Sequence, residues 1–497
     1  MKESIIVRII PAALIIAGVI LLYVWLSADA AINLTERLPI AANVPQVPLE
    51  AEQAMALRGE LIQFGGEPAD LPGAWPRFRG ANFDAISKED VTLARAWPPG
   101  GPKVLWSIDV GEGYAGAAIL AGRVYILDYD HEKQADAIRC LSLADGQEIW
   151  RYSYPVKIKR NHGMSRTVPA VTDKYIVTFG PKCHVTCLDS VTGQFRWMLD
   201  LVKDFKAKVP PWYAGQCPII DPAPIEAATR KTSSSRSGTF TAGQLVRDKA
   251  IIAVGGESLM IAVDCQTGEI VWESPNPHRW AMTHSSIMPI EFMDKRMYVY
   301  CASGGVAGIS AEDGSVLWEN EEWKIRIANV PSPVVVGDGL IFLCGDYNAG
   351  SMMLKLTQQD VSIIAEPAFR LGAEIYGSPQ HTPIFYEGHI YGVNADKELA
   401  CLDLSLDPSA SLGTRVLWTS TSAHKFGRGP YIITNGLIYI MNDDGVLTIA
   451  EAAPSGYKPV ASAKVLDGPE SWGPMAIVSG RLILRDLKRI ICLDITE

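Results

Sequence analysis

Cysteine is missing from the places where chemistry would need it. None precedes Cys140, which excludes a lipid attached to the N-terminal cysteine of a mature chain. No two cysteines are adjacent, which excludes a vicinal disulfide, and no Cys-x-x-Cys-His run offers a covalent haem site. Cys183 and Cys187 are four apart in an apparently extended segment. Their Cα atoms would stand ~13 Å apart, against the ~7 Å limit of a disulfide. Excess positive charge is missing too. The 45 Lys and Arg against 55 Asp and Glu give a net charge of −10, and no basic stripe interleaved with aromatics appears. Nucleic acid and anionic membrane surfaces are therefore excluded as partners. The one basic loop, Arg230 to Arg236, is rich in Ser and reads as a solvated insertion at 221–240.

Long apolar runs are absent with one exception. Residues 9–27 carry no charge, enough to cross ~30 Å of hydrocarbon as a helix. Lys2 and Arg8 on the near side favour a cytoplasmic N-terminus with the bulk exported. The expectation is an uncleaved inner-membrane anchor within residues 1–30 and a globular part in the periplasm or extracytoplasmic space. Ala28-Asp29-Ala30 offers the competing outcome, cleavage near Ala30 and secretion. Residues 31–74, with Pro39, Pro45, Pro48, Pro68 and Pro72, read as a tether with a short helix at 49–64.

From residue 75 helical periodicity is absent, and a repeated phrase takes its place. Asp145-Gly146-Gln147-Glu148-Ile149-Trp150 returns as Thr192-Gly193…Trp197, Thr267-Gly268…Trp272 and Asp313-Gly314…Trp318. A period near 46 residues marks a repeat architecture. Each period holds four short runs; in the second they are 166–172, 175–179, 184–189 and 194–200. Four-stranded antiparallel units at this period predict an all-β propeller.

Pro169, Pro218, Pro289, Pro333, Pro383, Pro430 and Pro474 each stand near the start of a unit's first strand. Proline is tolerated where its missing N–H faces no partner, as on an edge strand. Residues 116–120 occupy the same phase without Pro, which makes eight blades. The last unit ends one strand short, and residues 103–109, with Trp106, supply its outer strand. The termini therefore close the ring.

The repeat ends Cys187-Leu188-Asp189-Ser190-Val191-Thr192-Gly193…Trp197 and Ala262-Val263-Asp264-Cys265-Gln266-Thr267-Gly268…Trp272 resemble those of bacterial PQQ-repeat (quinoprotein-like) propellers. So does the entry phrase Trp75-Pro76-Arg77-Phe78-Arg79-Gly80-Ala81-Asn82. The resemblance covers residues 75–497 and implies the fold. It leaves activity open, because the family includes PQQ-dependent dehydrogenases and an outer-membrane assembly scaffold lipoprotein. The dehydrogenases need calcium among carboxylate and amide oxygens, and an Asp base. No Asp/Glu/Asn cluster stands at the channel-facing phase; Asp346 with Asn348 and Glu374 are the nearest candidates and read as loop residues.

Ahead of the Pro-marked strands stand His162, Arg166, Tyr213, Gln216, His284, His381, Arg428 and Trp472. In a propeller these positions gather at one mouth of the channel. They are either polar side chains around channel water or donors for a small anionic or sugar-like ligand. The histidines lack neighbouring carboxylates, so no metal site is assigned. The reading is a membrane-anchored eight-bladed propeller that acts as a non-catalytic binding or assembly scaffold. Its partner would be another envelope protein or a small polar ligand, and no cofactor is expected. The alternative is a quinoprotein oxidoreductase of alcohols or sugars, with PQQ and calcium. A hydrolase or lyase using the mouth histidines has no motif to support it.

Overall fold

The computed structural model describes residues 59–221, 247–405 and 412–497. The run at 9–27, the first part (49–58) of the helix expected over 49–64 and nearly all of the 221–240 insertion lie outside the described residues. Among the described residues no helix is long and apolar enough to cross a membrane.

Eight antiparallel sheets form the blades of a propeller. Blade 1 comprises Ala118–Leu120, Arg123–Asp130, Ala135–Ser142 and Glu148–Pro155. Blade 2 comprises Ala170–Val171, Tyr175–Phe179, His184–Asp189 and Phe195–Asp200. Blades 3 to 7 start at inner strands Ile219–Asp221, Met288–Phe292, Val334–Gly337, Ile384–Tyr386 and Tyr431–Thr434. Blade 8 takes Ala476–Val478, Arg481–Arg485 and Arg489–Asp494 from the C-terminal end and Lys103–Asp109 as its outer strand. The ring is closed by both ends of the repeat region, as the strand count predicts.

The repeated Gly and Trp have one physical explanation. Gly146, Gly193, Gly268 and Gly314 turn their hairpins at φ between 72° and 79°, a region costly to residues with a Cβ. A Cβ on any of them would also meet the indole of the preceding blade, Trp106, Trp150, Trp197 and Trp272 in turn, at 2.5 to 2.8 Å. Each Trp lies flat on the next blade's turn, so the motif is an inter-blade contact rather than a feature of one blade. Trp106 of blade 8 on Gly146 of blade 1 carries it across the closure.

The inner strand of blade 2 is shorter than 166–172. Pro169 has no N–H to give, and the Val168 N–H goes to Cys217 Sγ at 3.2 Å on blade 3. That bond begins a chain around the channel. Cys217 N donates to Ser286 Oγ at 2.9 Å, Ser286 N to Ser332 Oγ at 2.9 Å, and Ser332 N to Thr382 Oγ1 at 2.8 Å. Five consecutive blades, 2 to 6, are stitched together by these small polar side chains. The nine cysteines are all free and buried, where a thiol packs as a small apolar group.

Residues 59–74 correct the tether. Glu60–Gln63 is a strand, not the end of a helix, and pairs antiparallel with the outer strand of blade 1. Phe64 N and Gly66 N continue that pairing to Ile149 O and Glu148 O. An exposed blade edge offers free N–H and C=O groups, and this register satisfies them.

The next stretch enters the channel. Ala74–Trp75 pairs with the end of blade 1's inner strand. Val171 N, at the end of blade 2's inner strand, donates to Pro76 O. Ile86–Ser87 runs parallel to Ile433–Thr434 in blade 7. Between them the buried Arg79 donates to Phe83 O, Asp84 O, Thr382 O and Pro383 O at 2.8 to 3.2 Å. Eight repeats traversed inner strand first place the starts of all inner strands at one end of the channel. Residues 74–87 therefore plug the opposite end.

Candidate functional site

At the open end lies a cavity of about 220 Å³. His162, Arg166, His284, His381, Arg428 and Trp472 line it, residues hundreds of positions apart that the repeat brings together. Tyr213 and Gln216 do not line it. Gly215 and Cys217 face the cavity, so extended-chain alternation turns Gln216 away. Its amide donates to Ala253 O at 2.7 Å and accepts from Ala253 N at 3.2 Å, which ties the loop to blade 3. Tyr213 sits at φ 68° and donates its hydroxyl to Lys159 O, which pins a neighbouring loop.

Aromatic residues that the sequence reading passed over complete the wall. Phe78, Tyr114, Trp212 and Tyr347 also line the cavity. Tyr114 had a signal, since it stands ahead of the one inner strand without Pro. Phe78 had none, because only the plug brings it here.

Four side chains from four blades form a continuous stack along one wall. The Arg166 guanidinium lies over the Tyr114 ring at 5.3 Å, Tyr114 stacks on Trp472 at 5.1 Å, and Arg428 lies over Trp472 at 5.6 Å. The stack is anchored from behind by carboxylates outside the cavity. Glu470 accepts the Tyr114 hydroxyl at 2.6 Å. Asp443 accepts Trp472 Nε1 at 2.7 Å and Arg428 N at 2.8 Å. These acids fix the rings; among the described residues neither forms an ion pair with Arg166 or Arg428.

Burial holds the inner histidines neutral. His284 is pushed down to about 4 by burial, with Arg166 adding repulsion. His381 is also pushed down to about 4 by burial, against the pull of the backbone carbonyls of Arg428 and Trp472. Both are uncharged at pH 7 and act only as hydrogen-bonding groups. Burial also lowers Arg166 to about 10, with Tyr114, Tyr213 and Glu470 opposing the shift, so it keeps its charge at pH 7.

A family model described as outer membrane protein assembly factor BamB matches residues 85–208 and 134–406, more than half of the chain. The chain belongs to this family of PQQ-repeat propellers. No curated protein matches it. Among solved structures, BamB from Moraxella catarrhalis is 12% identical at a TM-score of 0.52 and covers 79% of this chain and 99% of that one. A europium-containing methanol dehydrogenase is 11% identical at a TM-score of 0.52, covering 84% and 89%. At these identities the likeness shows the fold alone.

Membership in the BamB family makes the fit of quinone and metal a question for the residues. A hard cation needs several oxygen ligands from carboxylates and amides. The cavity is lined by Arg, His, aromatic and small side chains and one amide, Gln380, with no Asp, Glu or Asn. Among the described residues no group of three His, Cys, Asp or Glu could hold a metal ion. Asp346 and Asn348 sit in a turn where Asp346 Oδ1 caps Tyr347 N, a loop role. The residues at the mouth do not fit a calcium-held quinone with a carboxylate base.

Proposed function

We propose that this propeller is a non-catalytic binding and assembly module of the bacterial envelope. In this reading residues 9–27 anchor it in the inner membrane and the blades lie in the periplasm. Its partner is another envelope protein or a small polar ligand, received at the lined mouth. The observation that carries the proposal is the donor set: two guanidiniums and histidines among aromatics, with no carboxylate on the cavity wall to take a substrate proton. Family membership supports it, since the family's description is that of an assembly factor. The anchor rests on the uncharged run and on Lys2 and Arg8.

Site-directed photo-crosslinking in cells tests this. A photoreactive residue at Tyr347, on the mouth and partly exposed, should trap an envelope protein. The same residue at Val361, 86% exposed in the hairpin turn between the two outer strands of blade 5, should trap none. Combining Arg166→Gln with Arg428→Gln should reduce the Tyr347 adduct at least several-fold. Equal adducts at both positions, or none at Tyr347, would contradict a binding mouth.

A further inference from the structure

We infer that the mouth is a blind pocket for a carboxylate carried on an apolar or aromatic body, with Arg166 as its anchor. The inference rests on the binding-module reading and names the chemistry of what is bound.

The first argument compares guanidiniums drawn away from bulk water, two of them buried and Arg166 half-buried. Arg79 and Arg485 are both buried and have both terminal nitrogens taken up by backbone carbonyls, although Arg485 Nε is left without a partner. Arg79 reaches four, and Arg485 reaches Ala115 O, Leu127 O and Gly111 O at 2.8 to 3.1 Å. Arg166 donates to Asn161 O alone, at 2.9 Å, and its buried Nε has no partner. It forms no ion pair, and the nearby Glu470 is committed to Tyr114. A charge withdrawn from water without a counter-charge is costly. Here it is held flat against Tyr114 with donors left over on the cavity side. An anion arriving there gains a charge-assisted bond that the protein itself does not supply.

The second argument fixes the kind of anion. His284 and His381 are neutral at pH 7, so the inner pocket offers one full positive charge, with Arg428 exposed at the rim. Phosphate sites combine several cations or convergent backbone N–H groups, and this wall is mainly aromatic. Sugar recognition would call on several carboxylate or amide acceptors, and the cavity wall offers a single amide, Gln380, with no Asp, Glu or Asn. A single carboxylate on an apolar body satisfies both the charge and the lining.

The third argument is the shape. Phe78 lines both the mouth cavity and a cavity of only about 30 Å³ deeper in the channel, where Trp75, Arg79 and Ala85 also lie. The plug thus floors the pocket, so a ligand enters and leaves by the same mouth and no chain threads through. The mouth volume also falls below the ~300–1,000 Å³ of pockets for larger ligands. It suits a chain end or a small carboxylate.

Calorimetric titration of the full-length protein tests this with three probes: the tripeptide Gly-Gly-Phe, the same peptide with a C-terminal amide, and phenylacetate. The free acid should bind at least tenfold more tightly than the amide. Arg166→Gln should bring the acid down to the amide's level, and Arg166→Lys should restore part of the difference. If Arg166→Gln melts early and cannot be titrated, the acid-to-amide ratio on the unmodified protein decides. A tripeptide stronger than phenylacetate identifies a chain terminus as the source, and equal binding identifies small carboxylates; both outcomes support the inference. Acid and amide binding alike would overturn the carboxylate while leaving a binding site, and no binding of any probe would overturn the pocket. Loss of the Tyr347 crosslink is a separate failure, that of the binding-module reading.

Discussion

A chain that begins at Gly111 should fail to form a soluble propeller, whereas one that begins at Gly59 should fold and stay soluble. The shorter chain loses Lys103–Asp109, whose register runs from Arg489↔Asp109 to Asp494↔Lys103. Blade 8 is then left with three strands and a bare edge, the feature that invites aggregation. It also loses Trp106, 6% exposed against Gly146, a contact whose removal alone costs roughly 3–5 kcal/mol. The plug at 74–87 goes with it, leaving the inner strands of blades 1 and 7 without their added partners. The combined loss exceeds the total stability of many domains, ~5–15 kcal/mol. Gel filtration and thermal melting of the two chains decide the matter. Equal solubility and melting would contradict closure of the ring by the N-terminal strand.

The second large effect is expected at Arg79. Its guanidinium serves four buried or half-buried carbonyls, two in the plug and two on blade 6. Arg79→Ala would leave those acceptors without donors and open a void in the channel. Each unsatisfied buried group costs about 1–3 kcal/mol, so a loss on the order of 4 kcal/mol is predicted in urea unfolding. Arg79→Lys should recover little, because an ammonium lacks the planar fork that spans four acceptors. A change under ~1 kcal/mol for Arg79→Ala would show that the plug is held by its short strands alone.

The blades were legible because one sequence pair, Gly and Trp, satisfies one contact around the ring. Gly193 must turn at positive φ and must also lack a Cβ beneath Trp150, so neither residue drifts from its phase. The Pro marks were legible for a related reason: Pro169 and Pro333 open strands whose inner edges need no donor. Blade 5 has no such Trp and instead lengthens its outer pair to Gly350–Gln359 and Ser362–Leu371, so the phrase is absent from its sequence. The site was legible only as a phase. That phase located His162, Arg166, His284, His381, Arg428 and Trp472 but could not tell Gln216 from its neighbours, since that depends on where each loop becomes extended. The plug was the hardest to read. Its strands are two residues long, and contacts with blades 1, 2, 6 and 7 set its path; no local pattern encodes them. Glu60–Gln63 is similar, a strand fixed by the edge it covers.

The central claim is that the mouth binds without performing chemistry, and one assay tests it most directly. Full-length protein incubated with PQQ and calcium is offered alcohols and sugars in the presence of an electron-accepting dye. The account predicts dye reduction no faster than in the absence of protein. Reduction that scales with protein concentration, requires the quinone and disappears on changing an acidic residue near the channel such as Asp443 or Glu470 would contradict it.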